Sequence, residues 1–74
     1  MRDVIIKREP VELYKILKFE NMASSGGEAK MLISDGQVRV NGEVETRKRR
    51  KIVQGDIIQL FDNLIRIQRV NADE

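Results

Sequence analysis

Val38 and Val40 alternate with Gln37 and Arg39, Asn41-Gly42 follows at once, and Val44 stands two residues beyond. Apolar residues at period two around Asn-Gly specify a β-hairpin with a type I′ turn, because both turn positions need positive φ, which these two residues accept at low cost. The turn also fixes the face from which Arg39 projects. Directly after the hairpin come five consecutive cations, Arg47, Lys48, Arg49, Arg50 and Lys51. A stiff turn is thus joined to a dense patch of positive charge.

Upstream, Val4-Ile5-Ile6 is a β-branched run with charged flanks and reads as a first strand. Pro10 suits the first position of a helix, and Leu13, Ile16 and Leu17 at i, i+3, i+4 predict a helix from Pro10 to Phe19 with Lys15 and Lys18 outside. Beyond a connector, Ser25-Gly26-Gly27-Glu28 has the capping-box spacing, in which the serine hydroxyl and the glutamate carboxylate satisfy each other's backbone N–H groups. Ala29, Leu32 and Ile33 continue an apolar stripe and Gly36 offers a left-handed stop, so a second helix is predicted from Gly26 to Asp35. Ile52 to Asp56 reads as a turn, and Ile57 to Phe61 and Leu64 to Val70 as strands joined at Asp62-Asn63. Residues 71–74 are expected to fray. Helices followed by short strands, without βαβ spacing, predict an α+β domain: two short helices packed against a small antiparallel sheet with hairpins.

At 74 residues the chain makes one domain, expected over 1–74 with a core motif at about 13–60, and it buries only about 60% of its unfolded surface. It has no cysteine and no histidine, so apolar packing must hold the fold without disulfides or a thiolate metal site. The same absences remove the commonest general base and the best side-chain nucleophile, and no two carboxylates stand at a spacing that would face them across a cleft. An enzyme is therefore not expected, and no metal or cofactor is implied. No apolar run approaches the ~20 residues that span a bilayer, and the opening Met1-Arg-Asp-Val-Ile-Ile-Lys is too short in its apolar part for a signal peptide. A cytoplasmic protein without a membrane partner is the expectation.

Fourteen Lys and Arg against twelve Asp and Glu leave a net charge of only +2, but the distribution is uneven. From Lys30 to Gly55 seven bases face three acids, a local +4 that leaves −2 elsewhere. Such asymmetry turns one attractive side towards phosphates. Arg47 to Lys51 could serve only as a solvated loop, yet five adjacent cations repel one another, and neutralising phosphates while releasing counterions would relieve that repulsion. Ser25-Gly26-Gly27 could serve only as a cap. Two glycines weaken a helix by ~1 kcal/mol each if inside it, however, and they clear space for a phosphate at the free N–H groups of a helix start. Tyr14 and the two phenylalanines are too dispersed for a single-strand stacking platform and read as core or core-edge residues, which favours recognition of folded RNA by shape and backbone.

Leu13-x-x-x-Leu17, then Ser25-x-x-x-Ala29-Lys30-x-Leu32-Ile33-x-x-Gly36-x-Val38-x-Val40-Asn41-Gly42, then Gly55-Asp56-x-Ile58, resemble the RNA-binding domain named after ribosomal protein S-four, also called the αL motif. The resemblance runs from about Leu13 to Leu60. Members occur in ribosomal proteins, pseudouridine synthases and tyrosyl-tRNA synthetases, usually as an appendage, whereas this chain resembles the small stand-alone bacterial branch. The resemblance implies RNA lying across the start of the second helix and the neighbouring hairpin. Ser25 matches the helix-start serine, Lys30 follows the matching Ala29, and Arg39 sits between the hairpin valines. Many members carry arginine directly after that serine where this chain has Gly26, so one phosphate contact is lost and the basic run is placed to compensate.

The resulting expectation is a non-catalytic protein that docks on structured RNA, ribosomal RNA or tRNA, in association with a ribosome or an RNA-modification protein. Lys30, Arg39, Arg47, Lys48, Arg49, Arg50 and Lys51 would contact phosphates, and Ser25, Gly26 and Gly27 would present backbone N–H groups. Alanine at 47, 49 and 50 is expected to weaken binding to all RNAs alike with little change in Tm. The competing reading is a protein-interaction adaptor whose basic hairpin meets an acidic partner such as a ribosome-assembly or RNA-modification factor. A β-grasp carrier is set aside because such carriers end in Gly-Gly and this chain ends Asn-Ala-Asp-Glu.

Overall fold

The computed structural model describes residues 1–70, so the expectation for 71–74 lies outside the described residues. The elements are β1 (Arg2–Ile6), β2 (Val11–Glu12), α1 (Leu13–Phe19), α2 (Gly26–Ser34), β3 (Val38–Val40), β4 (Glu43–Val44), β5 (Lys51–Ile52), β6 (Ile57–Leu60) and β7 (Asn63–Arg69). Five strands form one sheet in the order β1-β7-β6-β3-β4, and β2 pairs with β5 in a separate small ladder. The two-helix α+β architecture is as expected. The sheet, however, is mixed, because β1 runs parallel to β7 while β7, β6, β3 and β4 are antiparallel neighbours. Residue alternation tells which face of a strand is buried but not which strand it joins.

Leu13, Ile16 and Leu17 of α1 and Ala29 and Ile33 of α2 pack on the inward residues of the sheet, among them Val38, Val40, Ile58, Leu60, Ile65 and Ile67. Each such Leu, Ile or Val side chain contributes about 1.5–3 kcal/mol when fully buried, and with no cysteine in the chain this one cluster supplies the cohesion. Tyr14 lies at its edge as expected. The phenylalanines do not belong to the core: Phe19 is 64% exposed and Phe61 61%.

Several boundaries differ from the sequence expectation for identifiable reasons. The first helix begins at Leu13 rather than Pro10, because Val11 and Glu12 are drawn into the ladder with Ile52 and Lys51. Its opening N–H groups, on Leu13 and Tyr14, donate to the carbonyls of Arg50 and Lys48 at 2.9 and 3.1 Å. Ser25 caps α2 by accepting from the Glu28 N–H at 3.1 Å, but the Glu28 carboxylate passes over the Ser25 N–H and takes the backbone N–H and hydroxyl of Ser24 at 3.0 and 2.9 Å. Lys51–Ile52 is strand, and the turn after it closes with Asp56 N–H donating to Val53 at 3.1 Å. Asn41 and Gly42 adopt φ of 54° and 86°, the expected hairpin turn. The β6–β7 turn sits one residue earlier than expected, at Phe61-Asp62, since Leu60 pairs with Asn63. No helix among the described residues is long and apolar enough to cross a membrane.

Candidate nucleic-acid interface

The chain leaves the edge strand β4 through Glu45, the one charged residue buried among the described residues, at 6% exposure. Its carboxylate accepts the Arg47 backbone N–H at 2.9 Å, Arg47 Nε and Nη2 at 3.1 and 3.0 Å, and Arg50 Nη1 at 2.8 Å. Hydrogen bonding from the Arg47 side chain, opposed by burial and reinforced by Arg50, holds the Glu45 carboxyl down at about 2, and the pairing raises Arg47 in return. A buried carboxylate therefore sits at the root of the basic run and sets its shape. Arg49 leans towards Glu12 at 3.8 Å, whereas Lys48 and Lys51 make no ion pair among the described residues. Arg47, Arg49, Arg50 and Lys51 line a recess of about 470 Å³. Two of the five cations, Arg47 and Arg50, are thus held by Glu45, while Lys48, Arg49 and Lys51 stay exposed beside them. The Glu45-x-Arg47 spacing is the sequence signal of this pairing, and a charge balance in which Glu45 is one of three acids against seven bases does not reveal it.

The backbone of this loop is fastened to α1 through the two hydrogen bonds to Leu13 and Tyr14. The Tyr14 ring then carries the connection to α2. Lys30 Nζ lies 4.7 Å from the ring centroid and Lys15 Nζ 6.0 Å, contacts worth ~0.5–1 kcal/mol at exposed sites. A Cβ at Gly26 would stand 3.8 Å from the Lys18 side chain and 3.9 Å from the Tyr14 ring, which is ordinary contact, and one at Gly27 would meet only Ser25 Oγ at 3.9 Å. The N–H groups of Gly26 and Gly27 have no acceptor among the described residues. Ser25, Gly26, Gly27 and Lys30 are therefore linked through Tyr14 to the loop carrying Arg47 to Lys51. Lys15, Lys18 and Tyr14 join this cluster although sequence reasoning did not place them in it.

Arg39 stands apart. Its strand neighbours Val38 and Val40 point into the core, so Arg39 projects from the opposite face of the sheet, between Val44 and Gln59. There its Nη1 makes a long contact of 3.3 Å with the Gly42 carbonyl.

Residues 4–68 match the family described as the S4 domain. A protein of Escherichia coli named "Putative RNA-binding protein YbcJ" is 44% identical over 61 residues, covering 82% of this chain and 87% of that relative. A protein of Bacillus subtilis named "Probable ribosome maturation protein RlbA" is 35% identical over 57 residues, covering 77% and 80%. The solution structure of Escherichia coli YbcJ, described as revealing an αL motif involved in RNA binding, has a TM-score of 0.71 with this fold at 40% identity, covering 92% of this chain and 87% of that one.

Proposed function

The chain belongs to the S4 domain family, and on that footing we propose that it is a non-catalytic, cytoplasmic RNA-binding protein that docks on structured RNA, ribosomal RNA or tRNA, in association with a ribosome or an RNA-modification protein. The observation that carries this reading is the recess of four cations, Arg47, Arg49, Arg50 and Lys51, shaped from beneath by buried Glu45. The names of the relatives support it, one being called RNA-binding and one a ribosome maturation protein.

Phosphates entering the recess meet guanidinium groups already oriented by Glu45, which reduces the ordering cost of association. Lys48 and Lys51 supply charge without giving up an internal partner. The free N–H groups of Gly26 and Gly27, with Lys30 alongside, offer a further anion position at the start of α2. Backbone recognition of this kind suits RNA helices, whose major groove is too deep and narrow for side chains to read.

The test is affinity for ribosomal RNA fragments, tRNA and duplex DNA across a salt series. With about six phosphates neutralised, by Lys30, Arg47, Lys48, Arg49, Arg50 and Lys51, log affinity falls against log salt with a slope of roughly −4 to −5, and folded RNA is preferred to DNA. A flat salt response would refute the proposal.

A further inference from the structure

We propose that the outer face of the sheet carries a separate site for one unpaired nucleobase, with the Phe61 ring as the stacking surface and Arg39, Gln37 and Gln59 around it. The inference rests on the RNA-binding reading above and extends it to a face that the basic loop does not occupy.

Gln59 lies opposite Arg39 in the β3–β6 ladder. Together with Gly36, Gln37 and Phe61 these two residues line a recess of about 220 Å³. That is below the ~300 Å³ at which sites for drug-sized ligands begin, and it suits a single ring system. The lining is mainly polar and the exposed Phe61 side chain stands beside it, the combination that a base site needs. An aromatic face offers stacking, two side-chain amides offer donors and acceptors that can meet a base edge, and the guanidinium spends only one long contact, on Gly42, leaving donors for the attached phosphate.

Phe61 is an unexpected residue on local grounds. It occupies the first position of a two-residue hairpin loop with φ of 54°, where glycine is favoured and a bulky side chain is strained. The residue is 61% exposed, so burial does not offset the strain. A residue disfavoured by its backbone and left largely outside the core is accounted for if its ring contacts something beyond the protein.

The position is also reachable. Strand β4 is the edge of the sheet and continues into the basic loop, with Glu45 N–H donating to the Val38 carbonyl at 2.9 Å. The recess and the basic loop therefore lie around one edge, and an RNA whose helical phosphates sit on the loop can place an unpaired nucleotide on the sheet. One aromatic stacks one base, which fits a loop or bulge rather than an extended single strand.

The experiment compares the parent protein with Phe61→Gly and Phe61→Leu for binding to a stem-loop RNA and to the blunt duplex of the same stem. Phe61→Gly is expected to raise Tm while lowering stem-loop affinity by about 5- to 150-fold, the span of one stacked base. Phe61→Leu, which keeps the bulk and removes the aromatic face, is expected to lower stem-loop affinity at unchanged Tm. Duplex affinity and its salt slope should be unchanged in both. Stem-loop binding equal to the parent's in both variants, or a duplex affinity that falls equally, overturns the site while leaving the RNA-binding reading intact. Absence of salt-dependent binding by the parent to either RNA overturns both.

Discussion

Arg50 donates to the buried Glu45 carboxylate at 2.8 Å from inside the basic run, with its own side chain only 31% exposed. It is thus a structural member as well as a charge. Arg50→Ala removes one of the Glu45 partners while Arg47 remains, at a cost of about 1–2 kcal/mol. For a domain of this size that lowers Tm by roughly 5–15 °C, measurable by thermal melting. Because Arg47 and Arg50 both hold Glu45, alanine at 47, 49 and 50 together is expected to lower Tm rather than leave it nearly constant. The triple variant leaves Glu45 buried without its arginines, and its Tm should fall further than that of Arg50→Ala.

Acid sensitivity follows from the same carboxylate. Glu45 binds its proton more weakly in the folded state, at about 2 against an ordinary 4.5. Its contribution is therefore complete above about pH 5 and is lost as pH falls towards 2. The shift corresponds to about 2–3 kcal/mol after allowance for solvent screening of the exposed Arg47. Melting curves of the parent and of Glu45→Gln should differ at pH 7 and converge near pH 2. A gap that stays constant with pH would contradict the role given to the ion pair.

Lys48 and Lys51 make no ion pair among the described residues, and both are exposed. Lys48→Ala with Lys51→Ala should leave stability within about 0.5 kcal/mol. The salt slope of RNA binding should become shallower by about 1.5, from two fewer phosphate contacts. Equal slopes for parent and variant would remove these lysines from the interface.

Gly27 opens α2 with room for a side chain, since an added Cβ meets only Ser25 Oγ at 3.9 Å. Gly27→Ala should stabilise the protein by roughly 0.4–1 kcal/mol. If a phosphate approaches the Gly27 N–H group, the same change weakens RNA binding. Higher Tm with undiminished affinity would confine the glycine to helix capping.

The elements with strong local signals were legible in the chain: the Asn41-Gly42 turn, the Ser25 cap, the Gly36 stop and the apolar stripe of Leu13, Ile16 and Leu17 are set by neighbours within four positions. What escaped depends on distant partners. Val11-Glu12 leaves the helix because Lys51-Ile52 pairs with it, and β1 finds its place only through β7. The candidate cluster divides along the same line. Ser25, Gly26, Gly27, Lys30 and the basic run carry local marks, whereas Tyr14 acquires its role from contacts with Lys30 and the Lys48 carbonyl. Glu45 could not be told from a surface acid by composition, since its burial is set by the packing around it.

The parallel pairing of β1 with β7, in which Arg66 Nε reaches Asp3 across 63 positions at 3.0 Å, bears on how the protein comes into being. At about 5–20 residues per second of synthesis, Arg2–Ile6 is made roughly 3–13 s before the strand that completes its pairing. The hairpin and both helices can form as they emerge, but the sheet cannot close until Asn63–Arg69 has left the ribosome. Completion of this fold is therefore tied to the synthesis of β7, and a stop within β7 would release the first strand along with the last.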